Sequence, residues 1–302
     1  MTEAGVATSA AQTNRGTIFV EDAVVTGVSA FAGQQYVQRI KAPRCARDAV
    51  AGSFVHVQCD AAIPMRRPLS IMRVNADDGW IELLFKVVGE GLRALANKQP
   101  GDAISIIGPI GNGFEPHIER PRLLMIGGGV GIPPVIFLAE QVHRDKSDWL
   151  PVVLMGSELP FPFDMSRSTL PVDCLPDGID SSMPLLEKRN IPARLASLSG
   201  FPGCFDGLVT DLTRLYLEAQ STEQLAQTEI FSCGPTPMLQ AVAGLARDFD
   251  LPCQVSLEEY MACGVGGCAG CTVLLQTDRG PAMRRVCVDG PVFPANLVYP
   301  PQ

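Results

Sequence analysis

Three cysteines and four glycines share the nine residues Cys263-Gly-Val-Gly-Gly-Cys268-Ala-Gly-Cys271, and a fourth cysteine, Cys287, follows downstream. C-x4-C-x2-C with a distant fourth cysteine is the spacing of plant-type [2Fe–2S] ligation. Four thiolates around two irons need a loop whose backbone N–H groups come close to the sulfurs. Gly264, Gly266, Gly267 and Gly270 have no side chains to prevent that approach and tolerate positive φ. A structural zinc site or a pair of disulfides are the alternatives. Zinc more often takes paired C-x2-C or Cys/His spacings, and only one such pair is present. Cys45, Cys59, Cys174, Cys204 and Cys253 are scattered and read as ordinary buried thiols.

The cysteine loop closes a chain that otherwise falls into two rhythms. Residues 1–15 read as a loose tail. From 16 to 118, short β-rich runs (Thr17–Val25, Gln35–Ile40, Phe54–Cys59, Trp80–Val88 and Asp102–Ile107) alternate with turn signals, which points to a closed antiparallel barrel. One short helix is expected at Leu92–Ala96. Over 119–250 the apolar runs Leu123–Ile126, Pro151–Met155 and Glu229–Phe231 alternate with Gly turns and the helical stretches Pro134–His143 and Pro237–Phe249. That pattern predicts an α/β domain with a doubly wound parallel sheet. The proline-rich stretch 158–192 is expected as a long surface insertion. Residues 251–302 form a third, small unit around the cysteines.

Composition narrows the function classes. The chain carries a net charge of −8 with no Lys/Arg block, so nucleic-acid binding is disfavoured. The longest uncharged stretch, Leu123–Ala139, is interrupted by Gly and Pro and is too short to span a bilayer. No export signal is visible at Met1–Asn14, so a cytoplasmic protein with reduced thiols is expected.

Two glycine turns carry the nucleotide reading. Gly127-Gly128-Gly129-Val-Gly131-Ile-Pro-Pro follows a strand and opens a helix, where glycines admit a pyrophosphate to the backbone and the helix N-terminus favours its charge. It is not the G-x-G-x-x-G spelling, and close packing alone would also use glycine. Cys233-Gly234-Pro235 ends another strand on the same sheet edge; Cys233 is either a buried structural thiol or a nicotinamide contact. Glu158, just past Pro151–Met155, is placed near the adenosine ribose, where an acidic residue accepts the 2′-hydroxyl and repels a 2′-phosphate. NAD(H) is therefore expected over NADP(H). The bland alternatives are a solvated Glu158 and an Arg167 that swings back toward the ribose. In the barrel, Arg67 offers a planar fork for phosphate and Lys86 a point charge.

Read together, Arg67-Pro68-Leu69-Ser70, Gly108-Pro-Ile-Gly-Asn-Gly113-Phe, Gly-Gly-Gly-Val-Gly-Ile-Pro-Pro and Cys-Gly-Pro-x-Pro-Met resemble the ferredoxin–NADP reductase superfamily, in that family's order. Leu257-Glu-Glu-Tyr-Met-Ala-Cys263 through Cys271, with Arg285-Val-Cys287-Val-Asp-Gly-Pro-Val-Phe293, narrows the resemblance to electron-transfer subunits of NAD-linked dihydroorotate dehydrogenase. The resemblance covers roughly residues 16–293. It implies that Arg67, Pro68, Leu69 and Ser70 hold FAD, with Arg67 on the pyrophosphate and Ser70 near the flavin's reactive edge. Leu84, Phe85 and Lys86 match a second FAD segment. Gly91 and Leu92 match a third, in which Leu92 replaces the family's usual Thr and leaves only a backbone N–H. Cys263, Cys268, Cys271 and Cys287 would bind [2Fe–2S].

The implied activity is an electron relay in pyrimidine biosynthesis. A separate FMN-containing catalytic subunit oxidises dihydroorotate, and electrons pass through the cluster and FAD to NAD+, in a heterotetramer of two copies of each subunit. Flavin is needed where one-electron and two-electron steps meet. His56, His117 and His143 are the only histidines, each expected to be structural or solvent-facing. Val286, Val288, Val292 and Phe293 are expected to form an exposed apolar patch for the partner. The alternatives are a reductase subunit of another redox complex, of hydrogenase or ferredoxin-linked type, and a zinc-stabilised interaction module.

Overall fold

A computed structural model describes residues 17–145, 148–172 and 175–301. The expected tail at 1–15 and Cys174 lie outside the described residues. The N-terminal part is a closed six-stranded barrel of β1 (Phe19–Phe31), β2 (Gln35–Lys41), β3 (Phe54–Gln58), β4 (Arg67–Asn75), β5 (Trp80–Lys86) and β6 (Ala103–Ile110), in the order β1-β2-β5-β4-β3-β6. Alternation drives it: Ala23 and Val25 of β1, Val55 and Val57 of β3, and Ile71 of β4 all bury in one core. Helix α1 (Pro43–Asp48) has no side-chain cap of its own, and the buried Glu21 carboxylate accepts from the N–H groups of Arg44 and Cys45 instead, both at 3.0 Å. Helix α2 (Gly89–Ala96) joins β5 to β6.

One barrel strand was not expected. In β4, Arg67, Pro68 and Arg73 mask the alternation, so only its neighbours read as strands. Pro68 is tolerated because proline lacks only the donor, and it still sits opposite His56 of β3.

The second sheet has seven strands. Its elements are β7 (Arg122–Gly128), β8 (Leu150–Gly156), β11 (Ala193–Ser197), β12 (Phe205–Asp206), β13 (Thr228–Cys233), β14 (Cys253–Ser256) and β17 (Val292–Pro294). The order is β12-β11-β8-β7-β13-β14-β17, parallel except for the edge strand β17. Helices α3 (Ile132–Arg144), α5 (Val209–Glu218) and α7 (Thr236–Asp248) cover it; α6 (Thr222–Ala226) is a short capped turn before β13. The order reverses between β7 and β13, which makes their C-terminal ends a topological switch point. Ligands of open α/β sheets bind at such a switch point.

The stretch 158–192 is less superficial than its prolines suggest. It is the crossover from β8 to β11, and it carries the ribbon β9 (Ser166–Arg167) and β10 (Ser181–Ser182) and helix α4 (Pro184–Lys188). Phe161, Met183, Leu186 and Ile191 are buried in the main core, and the Gln35 side chain of the barrel donates to the Pro160 carbonyl at 2.7 Å. Proline rigidity hid a packed connection. Arg194 had likewise masked β11, whose five residues are all buried; its guanidinium turns back to the carbonyls of Ala193 and Leu170.

The C-terminal unit adds the two-stranded ribbon β15 (Thr272–Thr277) and β16 (Gly280–Arg285), the short helices α8 (Val286–Asp289) and α9 (Ala295–Val298), and the edge strand β17. Its core is continuous with the barrel's outer face: Phe54 and Ile110 pack with Leu257, Met261, Cys271, Cys287 and Phe293.

Candidate functional site

The cysteine loop leaves β14 and passes over the barrel before returning as β15. Among the described residues no three His, Cys, Asp or Glu side chains converge on a single point. The four thiols instead stand two by two. The Cys263 Sγ accepts from the N–H of Val265 at 3.5 Å and of Cys268 at 3.4 Å, and the Cys268 Sγ accepts from Gly270 at 3.4 Å. The Cys271 and Cys287 Sγ atoms lie 3.3 Å apart, well beyond a disulfide bond of ~2.05 Å. Two pairs of thiols with backbone donors aimed at them suit two irons with two thiolates each.

Electrostatics separate the thiols. Burial disfavours the Cys263 thiolate, yet the amides of Val265, Cys268 and Gly267 and the Cys268 thiol outweigh it and bring the group down to about 7. Burial pushes Cys287 up to about 12, with the Cys271 thiol acting in the same direction. Gly264 takes φ +68°, and a Cβ there would meet the His56 ring at 2.8 Å, so both the backbone and the space call for glycine. Arg285 donates to the Gly266 carbonyl at 2.9 Å, and Asn112 of the barrel turn donates to the Val288 and Asp289 carbonyls, so the fourth-ligand segment is clamped to both the loop and the barrel.

The expected apolar patch at Val286, Val288, Val292 and Phe293 is not at the surface as proposed. Val286 and Phe293 are buried in the unit's core, where they hold Cys287 in place, and Val288 and Val292 are only partly exposed. The exposed apolar residues around the loop are Tyr260 and Val265, with the cross-strand pair Leu274 and Met283 on the ribbon. Short alternation in so small a unit gave no warning of which face turns inward.

On the barrel, Arg67, Pro68, Leu69 and Ser70 of β4 lie opposite Val57, His56, Val55 and Phe54 of β3. The Arg67 guanidinium reaches the first turn of α2, where a Cβ on Gly91 would come within 3.1 Å of it. A planar cation beside a helix start makes a phosphate cradle that a side chain at Gly91 would fill. Leu92 is buried beside it, Leu84 and Phe85 are buried in β5, and Lys86 is exposed at the strand's end; Phe85 stacks on Tyr36 at 5.7 Å.

In the parallel sheet the glycines of the β7 turn fall into two groups. A Cβ on Gly127 would meet Val135 at 2.7 Å, one on Gly128 would meet Met238 at 2.3 Å, and one on Gly131 would meet the Gly234 backbone at 2.5 Å. These three are packing glycines that press β7, α3 and the Cys233–Gly234–Pro235 turn together. Gly129, at φ +54°, faces open space with nothing within 4 Å. It is the one that leaves room for a ligand.

Cys233 ends β13 fully buried, with its thiol raised well above the ordinary range by burial and then by the Glu258 charge. Glu258 was not singled out from the sequence. Its carboxyl is pushed up by the protein packed around it although the side chain keeps contact with solvent. Glu158 is exposed just beyond β8, and the Ser199 hydroxyl donates to its carbonyl at 3.2 Å. Arg167 is engaged elsewhere, by Asp180 at 2.6 Å. His117 pairs with the buried Glu229 at 3.0 Å, as a structural histidine would.

A flavin-type barrel joined to a nucleotide sheet, with paired thiols packed on the barrel, defines a ferredoxin reductase-like oxidoreductase with its own iron–sulfur domain. Residues 258–299 match the family described as the iron–sulfur cluster binding domain of dihydroorotate dehydrogenase B. The chain is 33% identical to the electron transfer subunit of dihydroorotate dehydrogenase B (NAD(+)) from Desulforamulus reducens, over 91% of this chain and 97% of that one. It is also 33% identical to the subunit of the same name from Caldanaerobacter subterraneus subsp. tengcongensis, over 82% and 86%. Among solved structures, the NADH-dependent reduced ferredoxin–NADP oxidoreductase is similar at a TM-score of 0.72 and 25% identity, covering 91% of this chain and 88% of that chain. The ferredoxin reductase of carbazole 1,9a-dioxygenase shares the fold at a TM-score of 0.59 and 21% identity, covering 78% and 67%. The chain belongs to the family of electron transfer subunits of dihydroorotate dehydrogenase B (NAD(+)). Members bind FAD, NAD and a [2Fe–2S] cluster. No helix among the described residues is long and apolar enough to cross a membrane.

Proposed function

We propose that this chain relays electrons between NAD+ and a separate FMN-containing subunit that oxidises dihydroorotate, in pyrimidine biosynthesis. The observation that carries it is the cysteine loop: two thiol pairs, one of them buried with Phe54 and Ile110 on the outer face of the barrel, bordered by exposed Tyr260 and Val265. The bound cofactors supply one-electron transfer at iron and hydride exchange at flavin. Cys263, Cys268, Cys271 and Cys287 hold the cluster. Arg67 and the start of α2 at Gly91 and Leu92 hold the FAD pyrophosphate, Pro68, Leu69 and Ser70 line the flavin, and Leu84, Phe85 and Lys86 back it. Gly129, with Gly127, Gly128 and Gly131 shaping the turn, admits the nicotinamide dinucleotide to the switch point. Cys233, Gly234 and Pro235 form the nicotinamide end, and Glu158 faces the adenosine ribose.

The relatives' name, electron transfer subunit, supports a catalytic partner, and we assign a heterotetramer of two copies of each subunit. A cytoplasmic location accords with nine described cysteines that are all free. Co-expression with a dihydroorotate-oxidising flavoprotein tests the reading. The expected result is one co-eluting brown-yellow complex that reduces NAD+ with dihydroorotate. Two species that elute separately at micromolar concentration would overturn it.

A second reading has one observation in its favour, the similarity to the NADH-dependent reduced ferredoxin–NADP oxidoreductase over most of both chains. It keeps the cofactors and replaces the dihydroorotate-oxidising partner by another redox subunit. Reduction of ferredoxin by NADH in the absence of any dihydroorotate-oxidising subunit would favour it.

A further inference from the structure

His56 is a buried polar residue that the fold does not explain. It lies on β3, fully buried, on the outer face of the barrel where Phe54 and Ile110 pack against the C-terminal unit. Neither ring nitrogen has a hydrogen-bond partner. An apolar side chain would serve that packing better, and a buried polar group without a partner calls for a reason. Its surroundings supply one. Across the ladder it faces Pro68 of the flavin strand, and its carbonyl accepts from Arg66 at 3.2 Å. On the other side Nδ1 is the atom that a Cβ on Gly264 would strike, and the backbone of Cys263 and Met261 also bears on the ring. His56 therefore stands between the strand that carries Arg67-Pro68-Leu69-Ser70 and the first ligand of the cluster loop.

We propose that His56 is a positioning residue of the electron path: its ring N–H completes a hydrogen bond to the cluster-loaded loop at Met261–Cys263 and holds that loop against the flavin strand. An imidazole carries a ring N–H in either neutral tautomer, so His56 has a donor to give. The proposal rests on the cluster and FAD assignments above. It adds that the contact between those two sites runs through one side chain of the barrel.

The test uses the full chain loaded with iron and FAD, as wild type, His56→Leu and His56→Asn. Leucine fills the space without a donor; asparagine returns an N–H near the position of Nδ1. After mixing with NADH, stopped-flow absorbance follows flavin and cluster separately, and electron paramagnetic resonance records the reduced cluster. We expect His56→Leu to lower the ratio of the cluster-reduction rate to the flavin-reduction rate and to change the cluster's spectrum, and His56→Asn to restore both. A His56→Leu protein with the wild-type ratio and spectrum overturns the proposal. Should His56→Leu not fold or load, wild type with 15N-labelled histidine decides the matter, because the chain has three histidines. A slowly exchanging imidazole N–H displaced by the paramagnetic cluster supports the proposal, and three undisplaced rings overturn it. Wild-type protein without iron or FAD would instead refute the function on which the proposal stands.

Discussion

The Arg73 guanidinium on β4 donates to the Glu140 carboxylate on α3 at 2.8 Å, and so ties the flavin barrel to the nucleotide sheet. Arg73 also reaches Glu82 of β5 at 3.1 Å, and Arg189 approaches Glu140 at 3.5 Å. Glu140 is 4% exposed, so the pair is shielded from solvent. Removing one partner leaves a charge in a dry place, which costs about 3–5 kcal/mol for fully buried pairs. Arg73 retains some access to water, and Glu82 remains as its second partner. Glu140→Ala is therefore expected to destabilise the chain by about 2–3 kcal/mol, at the lower end of that scale. A denaturant midpoint equal to wild type would refute this reading of the domain junction.

Cys268→Ser is expected to remove the cluster, taking iron content from about two per chain to near none. NADH-dependent reduction of an artificial dye should persist, because hydride transfer to FAD does not pass through iron. Metal analysis after anaerobic purification, with a dye assay on the same sample, checks both halves. Zinc in place of iron in the wild type would sink the cluster assignment.

Iron-free protein should show one unusually reactive cysteine. The Cys263 thiol is brought down to about 7, so its alkylation rate should rise through neutral pH and level off above that value as the thiolate becomes complete. Cys287, pushed up to about 12, should stay unreacted over the same range. Mass spectrometry after timed iodoacetamide treatment reads both sites, and equal labelling of the two would contradict the electrostatics described here.

The glycine turn offers a paired test. Gly131→Ala forces a Cβ to within 2.5 Å of the Gly234 backbone and should destabilise the fold by about 1–3 kcal/mol. Gly129→Ala meets no atom within 4 Å and pays only the left-handed backbone penalty of about 1–2 kcal/mol, but it narrows the ligand's approach. Its signature is a raised KM for NADH with the fold retained. If Gly129→Ala leaves KM unchanged, the open side of the turn does not face the dinucleotide.

The place proposed for Glu158 at the adenosine ribose predicts a cofactor preference. Wild type should show a higher kcat/KM with NADH than with NADPH in dye reduction, since an exposed carboxylate near the ribose repels a 2′-phosphate. Glu158→Arg should narrow that preference. Arg167 is occupied by Asp180 and does not compensate. A wild-type preference for NADPH would overturn the assignment.

The nucleotide loop and the cysteine loop were legible because their chemistry demands residue types at fixed local spacing. Cys263, Cys268 and Cys271 fall within nine residues of sequence, and Gly127–Gly131 is one turn. The barrel strand β4 was not legible, because Arg67, Pro68 and Arg73 break the pattern that apolar alternation would show. The same residues do their work through partners remote in sequence: Arg67 at Gly91, Pro68 at His56, and Arg73 at Glu140.

By itself, then, the sequence determined the cysteine spacing, the two glycine turns and the succession of barrel, parallel sheet and cysteine unit, since each is written in short-range spacing and periodicity. Only the tertiary structure decided that Val286 and Phe293 face inward, that 158–192 is a packed crossover, and that His56 stands between the flavin strand and the cluster loop. Burial and pairing of that kind depend on which distant surface closes over a residue. Local sequence carries no record of it, because one histidine or valine reads alike whether the facing element is solvent, a sheet or a loop of glycines.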